Sequence, residues 1–270
     1  MADPQLLTNR RNYNRWVANQ TLEDFALRFT GKRARRWSAA RVSNTALGAI
    51  SFLALEAIGA AITLIYGVQA TVLATMVVSA IIFLTAIPIS YYAARYGVDI
   101  DLLSRGAGFG YIGSTVTSLI YASFTFIFMA LEAAIMASAM DILFSVPLWL
   151  GYLVSSLIVI PLVTHGITLI SRFQLWTQPL WILLQLLPFV FILWQETQSI
   201  SNWAHFESPV APNQGEGVSL IYFGAASAVI FSLIAQIGEQ VDFLRFLPEP
   251  KEGERLRWWT ALMIGGPGWI

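Results

Sequence analysis

The chain has 270 residues, of which 56% are hydrophobic and only 12% charged, with sixteen Lys/Arg balancing sixteen Asp/Glu. A soluble domain carries roughly 25% charged residues, so this composition excludes a disordered chain, a nucleic-acid binder acting through net charge, and most soluble enzymes. There is no Cys, and His165 and His205 are the only two His, which excludes disulfide scaffolds, zinc–thiolate and iron–sulfur centres and a catalytic Cys, and argues against a His-rich metal site.

Residues 1–41 are polar and Arg-rich, with no short apolar segment and cleavage site to mark a secretory signal. Within this region Thr21 lies three residues before Asp24, as in a capping box, and Leu22, Phe25, Ala26 and Phe29 share one helical face. That pattern fits a short helix over 16–29, either lying on a membrane surface or simply exposed. From residue 42 onward charge nearly vanishes. Glu56 is the only charge between Arg41 and Arg95, and Glu132 and Asp141 are the only charges between Arg105 and Arg172. A membrane-spanning helix needs about 20 apolar residues. Hydrocarbon offers backbone groups no partner, so such runs span as helices, and they lack the alternation of β-barrel strands.

The apolar runs predict spans over 43–66, 70–94, 113–140, 148–165, 174–195 and 218–241. A seventh begins near Trp258 or Trp259, contains Gly265, Gly266, Pro267 and Gly268, and reaches Ile270 with too few apolar residues to cross a bilayer. The expectation is an all-α polytopic membrane bundle over 42–270, forming the front part of a longer protein and unstable by itself.

Cations mark the cytoplasmic side of short loops. With these spans, all sixteen cations fall on one side, whereas the opposite loops carry only the acids Asp141, Glu196, Glu207 and Glu216. The N-terminus is therefore expected to be cytoplasmic. Of the ten Trp, Trp37, Trp149, Trp194, Trp203 and Trp258 fall near span ends, as indole rings at an interface do, and Trp176 and Trp181 read as packing or interface residues.

Two carboxylates lie within spans: Glu56 near the middle of the first and Glu132 in the outer half of the third. A charge at the bilayer centre costs about 2.5–3.5 kcal/mol on insertion scales, so such groups mark a solute, ion or proton path or are protonated structural residues. Glu239 and Asp242 end the sixth span, Glu239 reading as interfacial, and Asp242 has the spacing to pair with Arg245. Small residues gather in the first span (Gly48, Ser51, Gly59, Ala60, Ala61) and the sixth (Gly224, Ala225, Ala226, Ser227, Ala228, Gly238). Such clusters permit close helix approach or accompany broken helices that bind ions and substrates. Gly108, Gly110 and Gly113 spell a dinucleotide fingerprint, but they open a membrane helix rather than follow a strand, so no nucleotide site is expected. No nucleophile–base pair or metal cluster appears, and no enzymatic activity is expected.

Ser104-Arg105-Gly106-Ala107-Gly108-Phe109-Gly110 before the third span and Asp242-Phe243-Leu244-Arg245-Phe246 after the sixth resemble the corresponding segments of the nucleobase–cation symporter family, the purine/cytosine permease type. Gly266-Pro267-Gly268-Trp269 is compatible with it, and the resemblance covers roughly residues 40–270. It implies a leucine-transporter-type fold of inverted repeats with broken first and sixth helices, of which this chain would hold the first half. It implies solute binding by Glu56, Phe128, Glu132 and Phe231, a sodium site near Phe52 and Leu55, and structural roles for Asp242, Arg245, Gly108 and Gly110. The expected function is alternating-access transport of a small nitrogen-containing solute across a bacterial cytoplasmic membrane, coupled to Na+ or H+, with no other cofactor. The chain departs from the family in placing Glu where the third span usually carries an amide, which favours ligands offering donors or positive charge. The sixth span also lacks the family's stacking Trp. A second resemblance, to transporter-like modules at the front of bacterial sensor histidine kinases, rests on the Arg-rich N-terminal region followed by Leu47-Gly48-Ala49-Ile50-Ser51-Phe52. It implies a ligand sensor with a signalling domain beyond Ile270.

Overall fold

A computed structural model describes residues 29–49, 51, 53–164, 166–196, 198–209, 218–250 and 252–270. Among the described residues the regular structure is helical, apart from an isolated bridge between Phe29 and Val98. The possible surface helix over 16–29 lies outside them except for Phe29.

α1 (Ala39–Gly48) begins after Ser38, whose side chain accepts from the Arg41 N–H at 3.2 Å, a regular N-cap. α2 (Ala54–Tyr66) follows after an interruption, so the first predicted span is made of two half-helices. α3 (Val68–Tyr96) is continuous through Pro88. α4 (Ile100–Ser104) is capped by the Asp99 side chain and continues through one wide turn, Arg105–Phe109, into α5 (Gly110–Phe144). The third membrane helix thus starts earlier than the sequence pattern predicts and includes Arg105. α6 (Leu148–Thr164), α7 (Gly166–Gln195) and the short α8 (Ser199–Ala204) come next. The sixth predicted span comprises α9 (Leu220–Phe231), a 3₁₀ turn over Ser232–Gln236, and α10 (Ile237–Leu244). α11 (Arg255–Gly265) stops at the glycine–proline cluster, which forms a 3₁₀ turn over Pro267–Trp269.

Among the described residues, four helical segments are long and apolar enough to cross a membrane: Val68–Tyr96, Ile100–Phe144, Gly166–Gln195 and Leu220–Leu244. α2 and α6 are apolar but shorter. The burial pattern fits a membrane solvent. Ala70, Ala74, Val78, Ile82, Ala86 and Ser90 are all buried, forming one i+4 ridge of α3. This ridge packs against α9 and α10, with Ile62 of α2, Ala226, Ile230 and Val241 completing the core. A second core joins α1 to α11 through Val42, Phe246, Leu247 and Leu262. The most apolar windows of α5 and α7, in contrast, bury no residue, and Trp176 is 82% exposed. Trp176 therefore belongs to the outer surface and not to internal packing. An apolar exterior suits lipid, which satisfies such side chains without burying them in protein.

Polar contacts define the two poles. At one, the Arg41 Nε donates to Ser171 Oγ at 3.0 Å, and the Lys32 ammonium pairs with Glu249 at 2.6 Å. Arg35 is buried there and donates to the carbonyls of Ala94 (2.8 Å), Thr30 (3.1 Å) and Arg95 (3.5 Å). Its guanidinium thereby closes the C-terminal end of α3. Burial lowers its pKa from the ordinary guanidinium value, and the charge of Glu249 acts in the opposite sense. At the other pole Ser208 Oγ contacts the Leu64 and Ile65 carbonyls at 2.8 and 2.7 Å, tying the segment after α8 to the end of α2.

Gly108 and Gly110 have φ of 107° and 64°, in the region that L side chains avoid. They let the chain bend between α4 and α5, a structural role for the glycines of the fingerprint-like motif. Gly108→Val is expected to destabilise the protein by about 1–3 kcal/mol, read as a lowered unfolding temperature in detergent. Gly106→Val, two residues away at a glycine without positive φ, is the matched comparison.

Candidate solute site at the interrupted first span

A helix interrupted within a membrane frees backbone groups that need partners. Here side chains from three other spans supply them. The Glu132 carboxylate of α5 accepts from the Ala54 N–H at 2.6 Å, at the first residue of α2. The Leu53 N–H reaches the same carboxylate. A negative group at a helix N-terminus meets both free N–H donors and the positive end of the helix dipole. With its amide oriented to suit its neighbours, Gln174 of α7 donates to the Thr45 carbonyl and accepts from the Ala49 N–H, at 3.2 and 3.3 Å. Gln240 of α10, similarly oriented, donates to the carbonyls of Ala46 and Gly265 at 3.0 and 2.8 Å. Both ends of the interruption are thereby held.

Glu56 lies in the first turn of α2, on the same half-helix that Glu132 caps, and accepts from the Gln185 amide of α7. It is exposed, not buried as the sequence pattern implies. Phe128 lies one turn before Glu132 on α5 and packs on Phe124, with ring centroids 4.4 Å apart. Phe231 ends α9 beside the 3₁₀ turn and packs against the apolar core. Leu55 sits in the first turn of α2, where its side chain lines an apolar cavity of about 220 Å³ with Ile58, Thr75, Ser79 and Trp269. Phe52 lies outside the described residues. Glu132, Glu56 and Phe128 therefore share the neighbourhood of the interruption, whereas Phe231 and Leu55 point to the apolar side of α2 and α9.

The sixth span is tightened rather than unwound. Its 3₁₀ turn carries Gln236, which is completely buried and has no partner for either amide atom among the described residues. The turn packs on α5. Mid-helix 3₁₀ segments mark hinges or strained positions, and a buried amide without a protein partner is unusual. Two residues on, Gly238 lies against Tyr121, whose hydroxyl faces the Asp242 carboxylate. Arg245 donates to the Asp242 main-chain carbonyl at 3.1 Å and lies over the Phe246 ring. Asp242 and Arg245 thus sit in a buried junction between α5 and α10.

A cavity of about 280 Å³ opens beside the interruption, lined by Gly48, Ser51, Gln174, Thr177, Gln178 and Glu239 and, on its apolar walls, by Leu162, Ile170 and Phe173. Ser51 Oγ and the Gln178 Oε1 are 3.0 Å apart. Glu239 is therefore not simply interfacial. Gly48 sits at a close approach, since a Cβ there would meet the side chains of Gln174 and Gln178 at 3.2 Å; Gly59 and Gly224 face open space. The glutamines of α7 were not apparent as site residues from hydropathy. Their signal is spacing: 174, 178 and 185 fall on one face of an otherwise apolar helix. Among the described residues no group of three or more His, Cys, Asp or Glu is placed to hold a metal ion. No family model, curated protein or solved structure matches the chain.

Proposed function

We propose that this protein carries the solute pathway of a secondary transporter working by alternating access, with its N-terminus cytoplasmic and its spans arranged as the first half of an inverted-repeat bundle. The observation that carries this reading is the interrupted first span. A carboxylate from another span caps the freed half-helix, a second carboxylate lies in that half-helix's first turn, and a cavity with both polar and apolar walls opens alongside. Discontinuous helices of this kind place fixed dipoles and polar groups at the depth where transporters bind their cargo. Two carboxylates and a set of amides favour a small nitrogen-containing solute that presents N–H donors or positive charge, with Na+ or H+ as the coupling ion.

Uptake of radiolabelled cytosine and adenine by cells expressing the full-length protein tests this. Glu132→Gln is expected to slow uptake roughly ten- to hundredfold, because a hydrogen bond to a charged group contributes about 1.5–3 kcal/mol. Glu56→Gln acts on the same half-helix and should lower uptake as well. Unchanged uptake in both variants removes these carboxylates from the site. Saturable binding without uptake would shift the reading to a ligand-sensing membrane module.

A further inference from the structure

The cation-rich pole contains a second cavity, of about 500 Å³, remote from the interruption of the first span and unused by the transport reading. Its cationic walls are Arg35, Arg95 and Arg255, from three separate parts of the chain. Arg35 is 7% exposed and its described hydrogen bonds go only to backbone carbonyls. Those acceptors satisfy its donors without neutralising its charge. Arg95 hydrogen-bonds through Nη1 to the Tyr91 hydroxyl at 2.7 Å, again a neutral partner. Glu249 also lines the cavity, but its carboxylate is engaged by Lys32 at 2.6 Å. The cavity therefore holds an excess of positive charge.

The remaining wall is aromatic. Tyr91 and Trp259 stack with centroids 5.5 Å apart and planes at 9°, and Trp258 stands perpendicular to both. The Trp258 indole N–H is committed to the Pro248 carbonyl at 2.9 Å, which fixes the ring. Leu256, next to Arg255, is 82% exposed and Trp259 is 41% exposed. Charge, fixed rings and exposed apolar side chains thus meet at one end of the transmembrane helices, where aromatic residues and cations face lipid headgroups. Guanidinium groups match phosphate oxygens in geometry as well as charge, and a basic pocket between helices on this side is suited to an anionic headgroup.

We infer that this cavity binds a phosphate group, presented by an anionic phospholipid whose headgroup lies between Arg35, Arg95 and Arg255 and whose glycerol end rests on the Trp258–Trp259 wall. The site does not depend on the transport reading.

The test uses full-length protein reconstituted in vesicles of equal parts phosphatidylcholine and phosphatidylglycerol, followed by gentle extraction and native mass spectrometry of the retained lipid. Phosphatidylglycerol is expected to be retained in preference to phosphatidylcholine. The preference should fall on the order of tenfold or more in the Arg95→Gln/Arg255→Gln double variant, at about 1 kcal/mol per cation near the membrane surface. A matched double variant, Arg172→Gln/Arg257→Gln, removes the same charge from the same pole outside the cavity and should change the preference much less. Equal losses in the two variants would mean that lipid responds only to summed surface charge, and would overturn the site. So would equal retention of the two lipids by the unaltered protein. A parallel titration with inorganic phosphate, read by thermal unfolding, separates the sources. Stabilisation by phosphate that the Arg95→Gln/Arg255→Gln variant loses, without lipid preference, supports the phosphate chemistry and rejects lipid as its carrier.

Discussion

Replacing Gln236 with methionine is expected to raise the stability of the protein and, under the transport proposal, to abolish uptake. Gln236 is 0% exposed, and neither end of its amide has a partner among the described residues. An amide buried in that way costs about 1–3 kcal/mol relative to a satisfied one. Methionine has a similar shape and no such requirement. Removing the cost should raise the unfolding temperature by several degrees in detergent. If the amide serves the solute, the same variant should lose uptake of cytosine and adenine while remaining abundant in the membrane. The uptake readout decides the role: a merely structural glutamine would gain stability on replacement and keep its uptake. Gain of stability with loss of function is expected where a site holds polar groups ready for an absent ligand.

The second large effect is expected at Arg35. Arg35→Met should destabilise the protein by about 2–4 kcal/mol, because it leaves the carbonyls at the end of α3 and at Thr30 without their charged donor. Arg36→Met, at an exposed neighbour whose described contact is a long bond to Arg33, should stay within about 0.5 kcal/mol. Thermal unfolding of the two variants side by side checks this. Similar behaviour of both would mean that the end of α3 is held by the bridge of Phe29 to Val98 and by apolar packing instead.

These residues also show what was legible in the sequence. The apolar runs place most of the helices, because a membrane span is a property of length and hydropathy. α3 and α6 lie close to where the runs put them. Glu132 and Glu56 stand out because a charge in an apolar run is conspicuous, and both lie at the interruption. Position 236 does not stand out. A glutamine is neutral, and its burial without a partner arises from the packing of the 3₁₀ turn on α5. The glutamines at 174 and 240 are equally silent, since a neutral amide in an apolar run carries no charge signal and their backbone partners are set by helix packing. The interruption itself falls in a run of small and apolar residues with no proline. What distinguishes it is partners supplied by α5, α7 and α10. Gly108 and Gly110 resembled a nucleotide loop because positive φ is needed in both settings, so the glycines follow from the local backbone and say nothing of the ligand.

Cysteine labelling is the most direct measurement of whether a water-filled path reaches the interruption of the first span. Residues 1–270 contain no Cys, so a single substitution here, in protein cleared of any Cys elsewhere, is read without background. Thr177 lines the cavity beside the interruption, whereas Leu180, three residues on, is 55% exposed on the apolar outer surface. A charged thiol reagent reacts with the thiolate, which needs water. Thr177→Cys in full-length protein should react with a membrane-impermeant methanethiosulfonate applied to inside-out vesicles, and Leu180→Cys should not. Thr177→Cys as inert as Leu180→Cys, from either side of the membrane, would mean that the cavity is dry and that the interrupted span serves packing, not passage.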